Sequence, residues 1–407
     1  MRVLSVFGTR PEAIKMAPVV LELGRRAGIT SRVCVTGQHR QMLDEVLDLF
    51  AIVPDYDLDV MRPGQSPTAV AAEILRRLEP VLVDERPDWV LVQGDTTTAA
   101  TGALAAFYSG ARVAHVEAGL RSHEQRSPFP EEVNRRIAGI TADVHFAPTE
   151  AARDNLLREN VPSDSIFVTG NPVIDALHYA RSFASTLGPT AAIPEDRRVA
   201  VVTAHRRESF GPPLERICDA VEELAARFPD VQFVFPVHPN PAVRAVVGRE
   251  LGANPSVSLI EPLGYREMVA LLDRCWLVLT DSGGLQEEAP SLGKPVLVLR
   301  DVTERQEGIA AGTVRLVGTD TRRIVEETTA LLSSPGEYAL MSQAVNPYGD
   351  GRAAERIADA LAGRTTVPSW DVRRRDEGAD PALTSRSRHS ARQGPLGARI
   401  APPSLKR

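Results

Sequence analysis

The stretch MRVLSVFGTRPEAIK, residues 1–15, decides the fold of this 407-residue chain, because it predicts a buried strand that leads directly into a helix. Val3–Phe7 is an apolar run without polar alternation, which is typical of a parallel strand covered on both faces. Gly8 permits a tight turn, Thr9 and Glu12 have the spacing of a capping box, and Pro11 suits a first helical turn. The segment therefore predicts one strand–turn–helix unit of an α/β fold.

Eleven further apolar runs of this kind follow and alternate with segments of helical periodicity. Repeated strand–helix units predict two Rossmann-like, doubly wound α/β domains, with a single (β/α)₈ barrel as the alternative. Two domains are favoured because the helical pattern pauses at Ser182–Asp196, which has the composition of a linker. We expect domains at residues 1–180 and 181–365. The predicted strands are Val3–Phe7, Arg32–Thr36, Trp89–Gln93, Arg112–Val116, Val144–Ala147, Ser165–Thr169, Arg198–Thr203, Gln232–Phe235, Val257–Ile260, Leu277–Thr280, Val296–Leu299 and Val314–Leu316.

The last segment, residues 366–407, differs from the rest of the chain in composition. It contains nine Lys or Arg against four Asp or Glu, with little aliphatic content and no periodicity. These features predict a disordered tail.

Composition argues against several classes of partner and location. The formal net charge of −6 gives no indication of binding to nucleic acid or to an anionic membrane. The N-terminus lacks the long apolar core of a signal peptide, and no apolar run approaches the roughly 18 residues that span a bilayer. Cys34, Cys218 and Cys275 lie in apolar stretches without paired spacing, which predicts buried, reduced thiols. We therefore expect a cytoplasmic protein.

Several kinds of cofactor chemistry are also disfavoured by the sequence. No dinucleotide fingerprint or P-loop opens the first helix. The eight histidines show no metal-ligand spacing with cysteine or acidic residues. Hydride transfer, nucleotide hydrolysis and zinc chemistry are therefore not expected.

Three acidic residues in the first half are placed where a site would form. Asp95 follows Trp89–Gln93, Glu117 comes directly after Arg112–Val116, and Glu131 opens a predicted helix. Asp95 could serve only as a helix N-cap, and Glu131 only as a favourable charge in a first helical turn. Because ligands bind beyond the carboxyl ends of parallel strands, however, the three acids together predict a site. Crowded carboxylates push one another's pKa values apart, which lets one site supply both an acid and a base.

Basic and glycine-rich segments at other strand ends suit an anion. Arg10 and Lys15 lie at the start of the first helix, and His205 begins a His-Arg-Arg sequence after a strand. Ser282-Gly283-Gly284 opens another helix, where exposed N–H groups and the absence of side chains would admit a phosphate. Glu288 could reach a ribose diol, and Arg305 could clamp a pyrophosphate.

In this order, the motifs resemble the non-hydrolysing UDP-N-acetylglucosamine 2-epimerases, and the resemblance covers roughly residues 1–365. The matching segments are FGTRPEAIKMAP (Phe7–Pro18), TGQHRQML (Thr36–Leu43), VQGDTTT (Val92–Thr98), HVEAGLRS (His115–Ser122), PEEVNRR (Pro130–Arg136), TGNPVIDAL (Thr169–Leu177), TAHRRESFG (Thr203–Gly211), DSGGLQEEAPSLGKPVLVLRDVTER (Asp281–Arg305) and GTVRLVGTD (Gly312–Asp320).

The resemblance implies a GT-B-like arrangement of two Rossmann-like domains, with the active site in the cleft between them, and a homodimer. It implies reversible conversion of UDP-GlcNAc to UDP-ManNAc without a cofactor or metal, by anti elimination of UDP and re-addition through 2-acetamidoglucal. Asp95, Glu117 and Glu131 would then be the acid and base candidates, with His205 assisting; which carboxylate removes the C2 proton stays open. The implied substrate-binding residues are Arg10, Lys15, Ser282, Gly283, Gly284, Glu288 and Arg305.

Bacterial members of that family are activated by a second UDP-GlcNAc molecule beside the catalytic one. Gln38, His39 and Gln41 match part of that activator site, and His238 is a further candidate.

Four other functions remain as alternatives at this point. They are epimerisation of a related UDP-2-acetamido sugar, a hydrolysing epimerase, a GT-B glycosyltransferase and a non-catalytic UDP-sugar sensor. The first differs in substrate, the next two in product, and the last in lacking turnover.

Overall fold

Two parallel β-sheets, one from each half of the chain, form the frame of the protein in a computed structural model. The structure describes residues 1–37, 40–62, 64–183, 193, 196–206, 209–363 and 369–371. The first sheet has seven strands: β1 (Arg2–Phe7), β2 (Thr30–Val35), β3 (Tyr56–Asp57), β4 (Trp89–Gln93), β5 (Arg112–Val116), β6 (Val144–Ala147) and β7 (Ile166–Val168). The second has six: β8 (Arg198–Thr203), β9 (Val231–Pro236), β10 (Val257–Ile260), β11 (Leu277–Thr280), β12 (Val296–Val298) and β13 (Val314–Leu316).

All twelve predicted strands are confirmed, several at their predicted bounds. Central strands such as β4 and β9 are buried at every position, which explains their continuous apolar sequences. The sequence prediction missed only β3, which has two residues and pairs with the end of β2. Two open sheets exclude the barrel alternative and confirm the predicted α/β class.

The order of the strands determines where a ligand site can form. The first sheet runs β3-β2-β1-β4-β5-β6-β7, and the second runs β10-β9-β8-β11-β12-β13. In each sheet the chain moves outward from its first strand and then returns to that strand's other side. The order therefore reverses between β1 and β4 and between β8 and β11, and crevices for ligands open beyond such points.

Fifteen helices are seen in the described part of the chain. They are α1 (Arg10–Arg25), α2 (Arg40–Leu49), α3 (Pro67–Glu85), α4 (Thr97–Ser109), α5 (Glu131–Thr141), α6 (Glu150–Arg158), α7 (Pro172–Arg181), α8 (Pro212–Arg227), α9 (Pro241–Leu251), α10 (Tyr265–Arg274), α11 (Gly283–Glu288), α12 (Gln306–Ala310), α13 (Thr321–Ser333), α14 (Pro335–Ser342) and α15 (Ala353–Leu361).

Helix α1 begins as the sequence predicts. The Thr9 side chain accepts a hydrogen bond from the Glu12 backbone N–H, and the Glu12 carboxylate accepts one from Thr9 N at 2.7 Å. This capping box is buried, and Glu12 also accepts a bond from the Thr96 hydroxyl at 2.5 Å. Burial raises the pKa of Glu12, although these hydrogen bonds oppose the shift. The turn after β1 is therefore tied to the turn after β4.

Helix α7 joins the two halves of the molecule. It packs against α1 beside the first sheet and against α10 and α11, which belong to the second half of the chain. Helix α15 comes after the second sheet in the sequence but packs against α1 and α7. Asp175 of α7 accepts hydrogen bonds from Ala353 N and Ala354 N, at 3.1 and 2.9 Å, at the start of α15. The chain thus returns to the first sheet before residue 365.

Trp370 lies within the segment predicted to be disordered, but it is 5% exposed. Its backbone N–H donates to Val168 O at 2.8 Å, and its indole N–H donates to Pro347 O at 2.9 Å. Met1–Trp370 forms one compact unit. Residues 372–407 of the predicted tail lie outside the described residues, as does most of the predicted linker Ser182–Asp196.

The three cysteines are free and buried, as predicted. Burial raises the pKa of each thiol to about 12. Among the described residues, no helix combines the length and the apolar character that a membrane crossing requires.

We expect Gly8→Ala to destabilise the protein by about 1–3 kcal/mol, the usual cost of overpacking. A Cβ at Gly8 would overlap the Thr36 hydroxyl and lie 2.8 Å from Thr98 Oγ1, and these two hydroxyls are themselves 2.9 Å apart. Gly24→Ala is the matched control, because nothing lies within 4 Å of its added Cβ. Alanine at this helical position should be neutral or stabilise by up to about 1 kcal/mol. Urea denaturation measures both, and equal stability of the two variants would contradict the packing argument.

Candidate active site

Two adjoining cavities lie at the carboxyl ends of the strands. The larger has a volume of about 550 Å³ and the smaller about 260 Å³. Lys15, Arg206 and Arg305 line both, so the cavities are neighbours. The larger cavity contains these predicted residues: Arg10, Lys15, His205, His238, Ser282, Gly283, Gly284, Glu288 and Arg305. The smaller contains Lys15, Asp95, Glu117, Glu131 and Arg305.

Glu117 is held by a dense set of contacts directly after β5. Its carboxylate accepts hydrogen bonds from Lys15 Nζ at 2.6 and 2.7 Å, from Asn171 Nδ2 at 3.0 Å and from the Gln93 side-chain amide. The backbone of Glu117 has φ of +61°, which is unusual for a residue other than glycine and is often found at functional sites. Burial opposes its charge, but Lys15 and Arg305 lower the pKa of Glu117 overall. Glu117 is therefore a buried, paired carboxylate, as its position in the sequence predicts.

Two of the three cations that line both cavities, Lys15 and Arg305, are paired with buried acids. The neighbouring Glu117 and Glu287 raise the pKa of Lys15 despite its burial. Arg305 Nε donates to Glu287 Oε1 at 2.7 Å, and its NH1 donates to Glu304 Oε1 at 2.6 Å. These acids raise the pKa of Arg305 against the effect of burial, so both cations stay charged.

Gly283 has a more specific role than the sequence indicates. A Cβ at this position would lie 2.7 Å from the Arg305 guanidinium carbon. A side chain at Gly283 would therefore displace the Arg305 guanidinium from its present position, whether or not a phosphate approaches.

Asp95 is not a helix cap. Thr96 is the N-cap of α4, because its hydroxyl accepts a hydrogen bond from Ala99 N at 3.0 Å. The Asp95 carboxylate instead pairs with Arg135 of α5, and its side chain remains 34% exposed toward the smaller cavity. The interpretation of Asp95 as an N-cap is therefore wrong.

Glu131 and Glu132 open α5 with different surroundings. Glu132 is fully buried and accepts hydrogen bonds from Ser122 N at 3.0 Å and Arg136 NH2 at 3.0 Å. Glu131 lines the smaller cavity, and its buried Oε2 has no hydrogen-bond partner among the described residues. Such an atom calls for an explanation, and a ligand group or a transferred proton would supply one.

His205 follows β8 and is oriented by Asp281. Its Nδ1 lies 2.9 Å from Asp281 Oδ1. Asp281 Oδ2 accepts hydrogen bonds from the His205 and Arg206 backbone N–H groups, each at 2.8 Å. Burial opposes the charge of Asp281, but His205 and these N–H groups lower its pKa. His205 therefore lies in a fixed orientation at the larger cavity, stacked on His238 with ring centroids 6.0 Å apart.

Glu288 lies at the end of α11 and faces the larger cavity. Tyr265 donates its hydroxyl proton to Glu288 Oε1 at 2.8 Å. Burial raises the pKa of Glu288 to about 7, with this hydrogen bond opposing the shift.

The predicted activator residues are only partly described. Gln38 and His39 lie outside the described residues, and the backbone of Gln41 belongs to α2. His238 lies beside His205 on the larger cavity. In the described part of the chain, no group of three or more His, Cys, Asp or Glu side chains could hold a metal ion.

Sequence reasoning missed Asn171, Glu287 and Arg135, all of which line the smaller cavity. Asn171 precedes a proline at a helix start, which is the pattern of an ordinary N-cap. Glu287 stands beside Glu288, and the sequence contains no signal that separates their surroundings. The only available indication was their presence in long segments shared with the resembled family.

Comparisons with known proteins identify the family of the chain. A family model described as UDP-N-acetylglucosamine 2-epimerase matches residues 21–362. The UDP-N-acetylglucosamine 2-epimerase of Escherichia coli (strain K12) is 56% identical over 369 residues, covering 89% of this chain and 98% of that protein. The chain belongs to the UDP-N-acetylglucosamine 2-epimerase family. It is therefore an epimerase, an enzyme of the isomerase class.

Solved structures of this epimerase family share the fold. The crystal structure of UDP-GlcNAc 2-epimerase from Neisseria meningitidis bound to UDP-GlcNAc has a TM-score of 0.83 and 49% identity, covering 89% of this chain and all of that one. The S. aureus MnaA–UDP structure has a TM-score of 0.82 and 46% identity, covering 90% of this chain and 99% of that one. The glycosyltransferase SnogD from Streptomyces nogalater is 17% identical with a TM-score of 0.56, a similarity that concerns the fold alone. The fold of this chain is therefore GT-B-like.

We expect the stability of this epimerase to depend on pH through Glu288. The pKa of this carboxyl is about 7 in the folded protein against an ordinary 4.5, so the folded state holds the proton more tightly. Its contribution to stability is therefore lost as the pH rises from about 4.5 through about 7. Glu288→Gln should gain about 1–3 kcal/mol relative to wild type between about pH 5 and about pH 8.

Urea denaturation across this pH range measures the effect. Glu79→Gln, which changes an exposed carboxylate on α3, is the control and should run parallel to wild type. If Glu288→Gln also runs parallel, burial does not raise the pKa of Glu288.

Proposed function

We propose that this epimerase interconverts UDP-GlcNAc and UDP-ManNAc by anti elimination of UDP and re-addition through 2-acetamidoglucal, without hydrolysing the substrate. The observation that carries the proposal is that a cavity lined by Asp95, Glu117 and Glu131, among other acids, adjoins a larger cavity. Lys15 and Arg305 are among the cations that line both. Family membership and the UDP-GlcNAc complex of the Neisseria meningitidis relative support the choice of substrate.

The larger cavity suits a nucleotide. Its volume of about 550 Å³ falls within the usual range for small-molecule sites. Glu288 at its wall can accept hydrogen bonds from a ribose. Ser282 is the N-cap residue of α11 but makes no side-chain cap hydrogen bond, and Gly283 and Gly284 are the first two residues of that helix. The diphosphate would lie toward Lys15 and Arg305, where the two cavities meet. Those cations would stabilise the negative charge that builds up on UDP as the C1–O bond breaks.

The smaller cavity suits the sugar and the proton transfers. Elimination requires a base that removes the C2 proton, and re-addition requires an acid that returns a proton from the opposite face. Asp95 and Glu117 each have a cationic partner, so either must weaken an ion pair to take a proton. Glu131 Oε2, in contrast, has no hydrogen-bond partner among the described residues, and a transferred proton or a sugar hydroxyl would give it one. We therefore assign Glu131 to one of the two proton transfers and leave the other to Asp95 or Glu117.

The remaining features of the proposal rest on the sequence patterns and, for the assembly, on the family resemblance. The reaction is redox-neutral overall, so a nicotinamide cofactor has no necessary role. We propose domains at residues 1–180 and 181–365, a homodimeric assembly and a cytoplasmic location.

Incubation with UDP-GlcNAc in D₂O tests the reaction directly. Removal and return of the C2 proton should place deuterium at C2 of both UDP-GlcNAc and UDP-ManNAc, which proton NMR detects. Free ManNAc would instead indicate a hydrolysing enzyme, and a sugar joined to an added acceptor would indicate a glycosyltransferase. Absence of both deuterium exchange and UDP-ManNAc would refute the proposal.

Asp95→Asn and Glu131→Gln should each lower kcat by about 10²–10⁴-fold, the usual contribution of general acid–base catalysis. UDP affinity should change by no more than a few-fold, because neither side chain lines the larger cavity. Steady-state kinetics and UDP titration separate the two effects, with Glu79→Gln as the control. A variant that retains the wild-type rate removes its residue from the proton-transfer group.

Arg305→Lys should weaken UDP binding about tenfold or more, since hydrogen bonds to charged groups contribute about 1.5–3 kcal/mol. Lysine retains the positive charge opposite Glu287 but lacks the guanidinium's planar fork of donors. The matched control is Arg322→Lys, because the Arg322 side chain is 87% exposed on α13. Isothermal titration with UDP measures both, and equal affinities would exclude Arg305 from the diphosphate site.

A further inference from the structure

Asn171 lies at the junction of the two halves, between β7 and α7, and is 1% exposed. It is the N-cap of α7, because its Oδ1 accepts a hydrogen bond from Val173 N at 3.1 Å. This bond fixes the orientation of the side-chain amide, since only the oxygen can accept from an N–H group. The NH₂ group must therefore point away from the helix.

Each hydrogen of that NH₂ group has its own carboxylate acceptor, and the two acceptors follow strands of different sheets. Nδ2 lies 3.0 Å from Glu117 Oε1, which follows β5 of the first sheet. It also lies 3.0 Å from Glu287 Oε2 on α11, which follows β11 of the second sheet. A single neutral donor thus separates two buried carboxylates that would otherwise repel each other.

The contacts continue to the cations on either side. Glu117 binds Lys15, and Glu287 binds Arg305 Nε at 2.7 Å. The sequence of contacts is Lys15–Glu117–Asn171–Glu287–Arg305, and every member is at least largely buried. It connects the proposed proton-transfer cavity to the proposed diphosphate site without passing through a ligand.

We propose that Asn171 is a positioning residue, which sets the spacing between Glu117 and Arg305 across the two sheets. The inference rests on the proposed function, since it concerns how the same site is held together. A carboxylate that reacts with the sugar and a guanidinium that holds the leaving diphosphate need a defined separation. Misplacement of a reacting group by about 1 Å can lower the rate about 10²-fold.

The simpler interpretation is that Asn171 only caps α7. Asparagine, aspartate and serine are all good N-caps, so both Asn171→Ser and Asn171→Asp retain the capping function. Serine is too short to reach the two carboxylates, whereas aspartate adds a third carboxylate opposite Glu117 and Glu287. If capping is the sole role, Asn171→Ser turns over like wild type.

Asn171→Ser is the principal test, because it introduces no buried charge. We expect kcat to fall about 10–100-fold, with a far-UV spectrum close to wild type. The melting temperature should fall, because the two buried carboxylates lose their shared donor. Asn171→Asp should lose at least as much activity. Asp320→Ser is the control, since Asp320 also caps a helix, α13, by accepting from Arg323 N at 3.0 Å, and it lines neither cavity.

A second measurement needs only UDP binding. If Asn171 links the two halves of the site, the loss of UDP affinity caused by Arg305→Lys should differ at least threefold between the wild-type and Asn171→Ser backgrounds. Independent, structural effects would be additive.

The outcomes separate the two proposals. Wild-type turnover in Asn171→Ser together with additive UDP affinities would overturn the positioning role. Absence of C2 exchange in the wild-type enzyme would overturn the proposed reaction alone, because the affinity cycle still decides the role of Asn171. Reduced kcat with non-additive affinities would support the positioning role.

Discussion

The ion pair between Lys15 and Glu117 is the contact on which the rest of the site depends. Their side chains are 14% and 5% exposed and lie 2.6 Å apart. A buried charge without a partner is strongly unfavourable, so each of these groups is tolerable only in the presence of the other. Even in the ion pair, Glu117 has further oxygen lone pairs that need hydrogen-bond donors. The side-chain amides of Gln93 and Asn171 donate these hydrogen bonds. The pair therefore requires α1, β4, β5 and the start of α7 to converge at one point.

That convergence is a consequence of strand order. Lys15 lies on α1 after β1, and Asp95 follows β4, so both stand beside the reversal point of the first sheet. In the second sheet His205 follows β8 and Ser282 follows β11, beside the corresponding reversal point. Helix α7 packs against helices of both halves, which holds the two edges opposite each other. Two sheets with the same topology thus present one cleft. The acids Asp95 and Glu117 follow strands of the first sheet, and most of the proposed nucleotide-binding groups follow strands of the second.

The strands and the site segments could be predicted from sequence because each has a local cause. Apolar runs such as Trp89–Gln93 indicate that both faces of a strand are buried, and the Thr9–Glu12 spacing indicates a capping box. The missed features depend on distant partners. Asn171 looks like a helix cap until Glu117 and Glu287 are placed beside it, and Trp370 looks like part of a polar tail until Val168 and Pro347 accept its hydrogen bonds. Tertiary contacts of this kind leave no periodic signal in the chain.

Two pairs of consecutive glutamates show the limit of local reasoning most clearly. Successive residues on a helix point about 100° apart, so only one of two neighbours can face a given cavity wall in the same way. In the first pair, Glu132 is fully buried among Ser122, Arg135 and Arg136, which leaves Glu131 to face the smaller cavity.

In the second pair, Glu287 is committed to Asn171 and Arg305, which leaves Glu288 to face the larger one. In each pair, one glutamate makes contacts within the protein and the other is available to a ligand. The orientation of each helix in the cleft decides which glutamate faces the cavity. Two consecutive glutamates in the sequence do not indicate which one that is.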